Sequence, residues 1–223
     1  MTTGQTPSAT RAPQLGERAY LALRERIVTL QLPPGTVLQE EELMRELELG
    51  RTPLREGIKR LALEHLLEIR PRRLTRVTGV SAADAARIGE VRVELEPQAA
   101  RLAAERLCDE LREHAETLAA ELRGLDGADA DQVRALDQRI HRLAWRAACN
   151  AYLETTLEAY FTLSLRLWHL VQDRVPSLAR AVRDHGELLD ALLSGDGERA
   201  AACMRKDVVR FHRGVEGALA AGS

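Results

Sequence analysis

Apolar residues recur at helical spacing through most of this chain. From Leu15 to Thr29 they fall at Ala19, Leu23, Ile27 and Leu30, which predicts an amphipathic helix with one buried stripe. "QLPPGTVL" ends it, because paired prolines followed by glycine cannot continue a helix. "QEEELMREL" predicts a second short helix, its early glutamates suited to the positive end of the dipole. A third is predicted at about 52–67, with Leu54, Ile58 and Leu61 on its apolar side. The pattern then changes. "LEIRPRRLTRVTGV" places Leu67, Ile69, Leu74, Val77 and Val80 around a proline and paired arginines, which predicts two short strands joined by a basic turn, the one strand pair the pattern supports. Beyond residue 81 only helices are predicted, at about 82–107, 109–123, 130–148, 150–172, 177–194 and 197–219, with breaks at Gly, Pro, Asn and Asp.

The fold class that follows is mostly α. Residues 1–14 read as a polar, disordered arm, 15–80 as a winged helix-turn-helix, and 81–223 as a six-helix antiparallel bundle. Leu, Ala, Arg and Glu dominate and only 3% of residues are aromatic, which agrees with helix over sheet. No apolar run reaches the roughly 18 residues of a membrane span, and the first residues lack the apolar core of a signal peptide. Three widely spaced cysteines, Cys108, Cys149 and Cys203, form no CxxC and read as inert core residues; the expected compartment is the cytoplasm.

Charge changes the picture at one place. The chain carries a net charge of -2, yet residues 50–76 hold eight Arg or Lys against three Glu. Arg51, Arg55 and Lys59 recur four residues apart, opposite the apolar side of the third helix. That leaves a cationic side for the major groove of duplex DNA, with Arg51, Thr52 and Arg55 near the helix start in reach of base edges. Lys59 and Arg60 suit phosphate contact, and Arg72 and Arg73 at the hairpin tip suit the backbone or the minor groove. A merely solvated basic face is the alternative reading.

In the bundle, polar residues interrupt apolar stripes. Asp137 and His141 lie among Val133, Leu136, Ile140 and Ala144; His185 lies among Leu178, Val182, Leu189 and Leu192; Asp207 lies among Ala200, Cys203, Phe211 and Val215. A buried carboxylate must find a partner or lose its charge. Two carboxylates and two imidazoles from three helices suit a divalent metal, and equally a hydrogen-bonded network without one. Arg92 lies inward on the first bundle helix, one turn from Glu96, so it either pairs with Glu96 or meets an effector carboxylate. His65, His114 and His169 read as surface or packing residues, and Trp145 and Trp168 as core or pocket wall. A metal-dependent helical-bundle enzyme is a further alternative.

"LPPGTVLQEEELMRELELGRTPLREGIKRLALEHLLEIRPRRLTRV" resembles the DNA-binding domain of GntR-family transcription regulators. Family members commonly carry Ser where Gly50 stands, glycine where His65 and Leu74 stand, and in some cases a DNA-contacting arginine where Glu41 stands. "LDQRIHRLAWRAACN", "RDHGELLDALLSGD" and "AACMRKDVV" resemble the three ligand segments of the FCD domain, and "VRVELEPQAARLAA" resembles its opening. The resemblance implies a homodimeric regulator, most often a repressor, on a palindromic operator. It further implies a small organic acid, amino acid or sugar acid as effector and a metal site at Asp137, His141, His185 and position 207. There, Asp207 replaces the usual histidine, which moves preference from Zn²⁺ or Ni²⁺ towards Mn²⁺ or Mg²⁺. A DNA-binding dimer with a purely structural bundle remains the alternative.

Overall fold

The computed structural model describes residues 11–70, 74–125, 129–175 and 182–221. They form two compact units, Met1–Val80 and Ser81–Ser223, each taken by itself below.

In the first unit, α1 (Arg11–Val28), α2 (Glu40–Leu47) and α3 (Arg51–Leu63) precede a hairpin of β1 (Leu67–Ile69) and β2 (Thr75–Val77). Ala19, Leu23 and Ile27 of α1 are buried with Leu54, Ile58 and Leu61 of α3, as their spacing requires. Gly57 sets how closely α1 and α3 approach: a Cβ there would lie 2.8 Å from the Tyr20 amide nitrogen and 3.0 Å from the Ala19 carbonyl carbon. Leu67 pairs with Val77 and Ile69 with Thr75; Leu67 and Val77 face the core, whereas Ile69 and Leu74 are exposed.

Residues 11–14, read as part of a disordered arm, are the start of α1, and residues 1–10 of that arm lie outside the described residues. Two further features depart from the sequence reading. The third helix stops at Leu63 because His65 takes a left-handed backbone, φ 60°, held where Thr78 Oγ1 donates to its carbonyl at 2.8 Å. That conformation favours glycine, which explains the glycine usual there. Leu74, by contrast, is not among the positive-φ residues. The second departure is at 35–38, read only as a helix stop. This segment lines β2, with Gly35 N donating to Val77 O at 2.9 Å, Val77 N to Thr36 O at 2.8 Å and Leu38 N to Thr75 O at 2.9 Å. α1 ends at Val28 with Leu30 left-handed, φ 63°, and a turn closed by Thr36 N donating to Pro33 O at 3.1 Å, with Gly35 at φ 86°, brings the segment alongside β2.

The second unit contains α4 (Ala82–Arg106), α5 (Asp109–Arg123), α6 (Ala130–Ala147), α7 (Ala151–Val171), a 3₁₀ turn (Val182–Asp184), α8 (His185–Ser194) and α9 (Gly197–Ala220). Ser81 with Asp84 and Asp129 with Gln132 form capping boxes at α4 and α6, and Asn150 and Asp196 cap α7 and α9. α4 is central, packing on α6, α7, α8 and most extensively on α9. Gly89 makes room on α4, since a Cβ there would lie 2.8 Å from the His212 ring. The buried stripe of α9 runs through Ala200, Met204, Val208, His212 and Val215. Cys203 and Phe211 are only half-buried, so the stripe sits one position round from the predicted one. The cysteines are a further correction: Cys108 and Cys149 are exposed, because both sit at helix junctions. The fifth predicted bundle helix begins at His185; Leu178 lies outside the described residues.

Candidate functional site

Helical spacing carries Asp137 and His141 inward from α6, α8 supplies His185 at its first residue, and α9 supplies Asp207. The three elements bring the four groups together. Oxygen or nitrogen atoms of Asp137, His141 and His185 all lie within 4.8 Å of one another, and all three residues are buried. The two Nε2 atoms are 3.3 Å apart. Asp207 Oδ2 lies 3.4 Å from His141 Nε2 and 3.7 Å from His185 Nε2, and Asp137 Oδ1 lies 3.7 Å and 3.6 Å from the same atoms.

Each imidazole is held from behind. His141 Nδ1 lies 2.7 Å from Glu96 Oε2, and His185 Nδ1 lies 3.0 Å from the Val182 carbonyl oxygen. Both partners are acceptors, so the ring proton sits on Nδ1 and Nε2 turns towards the cluster. Four donor atoms about 2.0–2.2 Å from a tetrahedral ion stand roughly 3.3–3.6 Å from each other. The observed separations of 3.3–3.7 Å fit that arrangement, and the Glu96–His141 pair is the carboxylate–histidine backing that metal ligands use.

The electrostatics agree. Burial alone would push His141 down, but Glu96, Asp137 and Asp207 outweigh it and raise its pKa to about 10. Burial also raises Asp137, while the two imidazoles beside Asp207 and the Arg210 guanidinium hold that carboxyl well below the usual range. Three carboxylates closing on two imidazoles make a site short of positive charge, which a proton or a cation satisfies.

Arg92 and Glu96 form a buried ion pair, 2% and 0% exposed, with Arg92 Nε donating to Glu96 Oε1. Burial pushes Glu96 up, yet Arg92 and His141 hold it at about 2. Arg92 Nη1 also lies 3.4 Å from His212 Nε2, and His212 Nδ1 donates to the Ala85 carbonyl at 3.0 Å. His212 is therefore a neutral brace for Arg92 and not a fourth imidazole of the cluster. Arg92, Asp137, His141, Asp207, Arg210 and Ser164 form the polar side of a small, partly open cavity of about 20 Å³, room for a water or two. Arg92 thus pairs with Glu96 and also lines the cavity.

Sequence reasoning missed three contributors. Glu96 was placed only as a partner of Arg92, and its contact with His141 has no sequence signal. Arg210, which donates to Asp207 Oδ1 at 2.9 Å and to Asp184, stands three residues after Asp207 and was legible as an i,i+3 pair. Phe161, from mid-α7, reaches the cavity with nothing to announce it.

On the first unit, Arg51, Thr52, Arg55 and Lys59 are all exposed on α3. Arg55 Nε donates to Glu40 Oε2 at 2.9 Å, so the start of α2 orients it. Arg60 faces elsewhere. Its guanidinium carbon stacks 3.5 Å from the Tyr20 ring centroid, and it pairs with Glu17 at 2.5 Å and Glu64 at 3.5 Å. It staples α3 to α1 because it lies about half a turn round the helix from Arg51. Arg72 and Arg73 lie outside the described residues.

The family description "Bacterial regulatory proteins, gntR family" matches residues 15–77, and that of the FCD domain matches residues 87–210. The chain belongs to the GntR family. Among its GntR relatives, a probable D-xylose utilization operon transcriptional repressor from Paenarthrobacter nicotinovorans is 30% identical over 185 residues, 81% of this chain and 80% of that one. The HTH-type transcriptional repressor RspR of Escherichia coli K12 is 28% identical over 207 residues, 90% and 89% of the two chains. The solved structure of E. coli McbR/YncC shares the fold, with a TM-score of 0.76 at 22% identity over 88% of this chain and 94% of that one. This GntR protein is accordingly a DNA-binding transcription regulator, and the enzyme alternative is set aside because the family and its named relatives are regulators. Among the described residues no helix is long and apolar enough to cross a membrane.

Proposed function

We propose that this regulator is a homodimeric repressor whose affinity for a palindromic operator is set by a small organic carboxylate bound beside a divalent metal ion. The convergence of His141 Nε2, His185 Nε2, Asp137 Oδ1 and Asp207 Oδ2 on one point, with both imidazoles backed by acceptors, carries the reading. A bound divalent ion there supplies a Lewis-acid anchor for a carboxylate oxygen. Arg92, braced by Glu96 and His212, presents positive charge to the same cavity. The donor set of two carboxylates and two imidazoles suits Mn²⁺ as well as Zn²⁺ or Ni²⁺, because the second carboxylate hardens it.

The DNA-facing residues are Arg51, Thr52, Arg55 and Lys59. Arg51 and Arg55 read base edges near the start of α3, and Lys59 meets phosphate. Ligand binding in the helical unit shifts operator affinity by its differential affinity for the DNA-competent state.

One observation favours a second reading. The raised His141 pKa lets a proton do the work of a cation, giving a metal-free ion network within a structural bundle. Elemental analysis of the purified protein beside Asp137→Ala separates the two. About one equivalent of metal per chain, lost in the variant and required for an effector response in operator binding, supports the first reading. A protein without metal, whose operator affinity ignores chelators and added metal, overturns it.

A further inference from the structure

The outward side of α3 carries Arg51, Arg55 and Lys59, and the three are not alike. Arg55 Nε donates to Glu40 Oε2 at 2.9 Å, whereas among the described residues Arg51 and Lys59 have no carboxylate anchor. Glu40 is the first residue of α2 and is partly buried, its side chain 28% exposed against 56% for Arg55. Buried Leu43 fixes α2, buried Leu54 and Ile58 fix α3, and the two helices pack on each other. The pair thus spans two fixed elements and sets where the guanidinium points. Glu41 and Glu42 follow in the same turn of α2 and share its position at the positive end of the dipole. Both are exposed, and among the described residues neither meets an arginine.

A guanidinium has five N–H donors, one on Nε and four on the two Nη nitrogens. Glu40 takes the Nε donor, so Arg55 offers its Nη1–Nη2 end outward. Two parallel donors match O6 and N7 of guanine in the major groove. Adenine presents N7 beside an N6 donor and accepts only one of them. An arginine without the anchor turns as readily to a phosphate, which carries no sequence information. Glu40 opposes that choice as well, because its negative charge reduces what Arg55 gains from a polyanion. On the free surface such a pair contributes little to stability. In a groove from which water is excluded, the same charge-assisted bond strengthens.

We infer that Glu40 is a positioning residue that makes Arg55 selective for guanine and lowers affinity for unrelated DNA. The inference rests on the reading of Arg55 as a base-edge contact and adds the residue that gives the contact its selectivity.

The test begins by selecting duplexes with the full-length protein from a pool randomised over about 20 base pairs, enough for two half-sites one turn apart. Fluorescence anisotropy then compares the selected duplex, its single G·C-to-A·T variants and an unrelated duplex. One G·C pair per half-site is expected to lose about ten-fold in affinity on change to A·T, and Arg55→Ala is expected to abolish that loss. Glu40→Ala should shrink the same loss to less than about three-fold and bind the unrelated duplex more tightly. Glu40→Gln keeps an acceptor for Nε and should retain more of the guanine preference. Glu41→Ala and Glu42→Ala remove the same charge from the same turn and should leave the preference intact. Thermal unfolding accompanies each variant, and Glu40→Ser, a residue suited to a helix start, repeats the measurement if the alanine protein unfolds. Full guanine preference in Glu40→Ala, with the preference lost in Arg55→Ala, overturns the role of Glu40 and leaves Arg55 as the reader. So does an equal loss of preference in Glu41→Ala or Glu42→Ala, or a Glu40→Gln protein no more selective than Glu40→Ala. A selected duplex in which no base pair depends on Arg55 overturns both.

Discussion

Arg210 Nη2 donates to Asp207 Oδ1 at 2.9 Å, while the other carboxylate oxygen of Asp207 faces the two imidazole nitrogens. Arg210 is itself held by Asp184, one residue before His185. The arginine therefore ties the α9 ligand to the chain segment that carries the α8 ligand. It also offsets the negative charge that Asp207 brings where the family pattern has histidine.

If Arg210 positions Asp207, Arg210→Ala weakens metal binding about 10- to 100-fold, the usual effect of losing a ligand's supporting partner. Asp184→Asn weakens it less and in the same direction. Chelator competition on the full-length protein measures both. Metal affinity unchanged in Arg210→Ala would show that Asp207 needs no such support.

His212 makes a prediction about acid. Burial and the neighbouring Arg92 push its pKa from 6.5 down to about 3, although the Ala85 carbonyl, Glu96 and Asp207 act the other way. Between those values the unfolded chain holds a proton that the fold does not. The contribution of His212 is complete above pH 6.5 and is lost as pH falls towards 3. The slope in that window is at most about 1.4 kcal/mol per pH unit. Urea unfolding of the chelator-treated protein at several pH values should show a shallower acid loss in His212→Gln than in the parent. Identical slopes would refute the neutral brace.

The bundle site was legible to an unusual degree because a carboxylate or imidazole inside an apolar stripe is a costly exception, and four such exceptions on three helices must meet. Asp137, His141, His185 and Asp207 do meet. Trp168 was legible only as core or pocket wall, and Phe161 not at all. Both sit in the second half of α7, where Phe161, Thr162, Ser164, Leu165, Arg166, Leu167 and Trp168 are buried on all sides, so the pattern does not say which residues face a cavity and which face the core. Arg60 shows the converse. A basic run looks uniform in sequence, but one half-turn of helix decides whether a guanidinium faces solvent or the Tyr20 ring.

The α1–α3 approach at Gly57 has little tolerance. A Cβ at 57 meets main-chain atoms of Ala19 and Tyr20, which cannot rotate away. Gly57→Ala should therefore destabilise the first unit by about 1–3 kcal/mol despite alanine's better helix propensity. It should also lower operator affinity by displacing α3. Thermal unfolding followed by circular dichroism checks the first effect. A variant as stable as the parent would mean that α1 can shift freely.

The DNA-facing residues separate by how affinity depends on salt and sequence. Arg55, oriented by Glu40, and Arg51 stand where base edges are reached. Arg51→Ala and Arg55→Ala should each cost about 1–3 kcal/mol on the operator and narrow the gap between operator and unrelated DNA. Lys59→Ala should weaken both DNAs alike and reduce the dependence of log K on log salt by about one. Arg60→Ala should do neither. Its guanidinium is committed to Tyr20, Glu17 and Glu64, so its removal lowers thermal stability and leaves the salt slope intact. Binding isotherms for the four variants at several salt concentrations test the division. If Arg60→Ala changed the salt slope as Lys59→Ala does, the staple would have to open on DNA and the assignment of Arg60 to packing would fail.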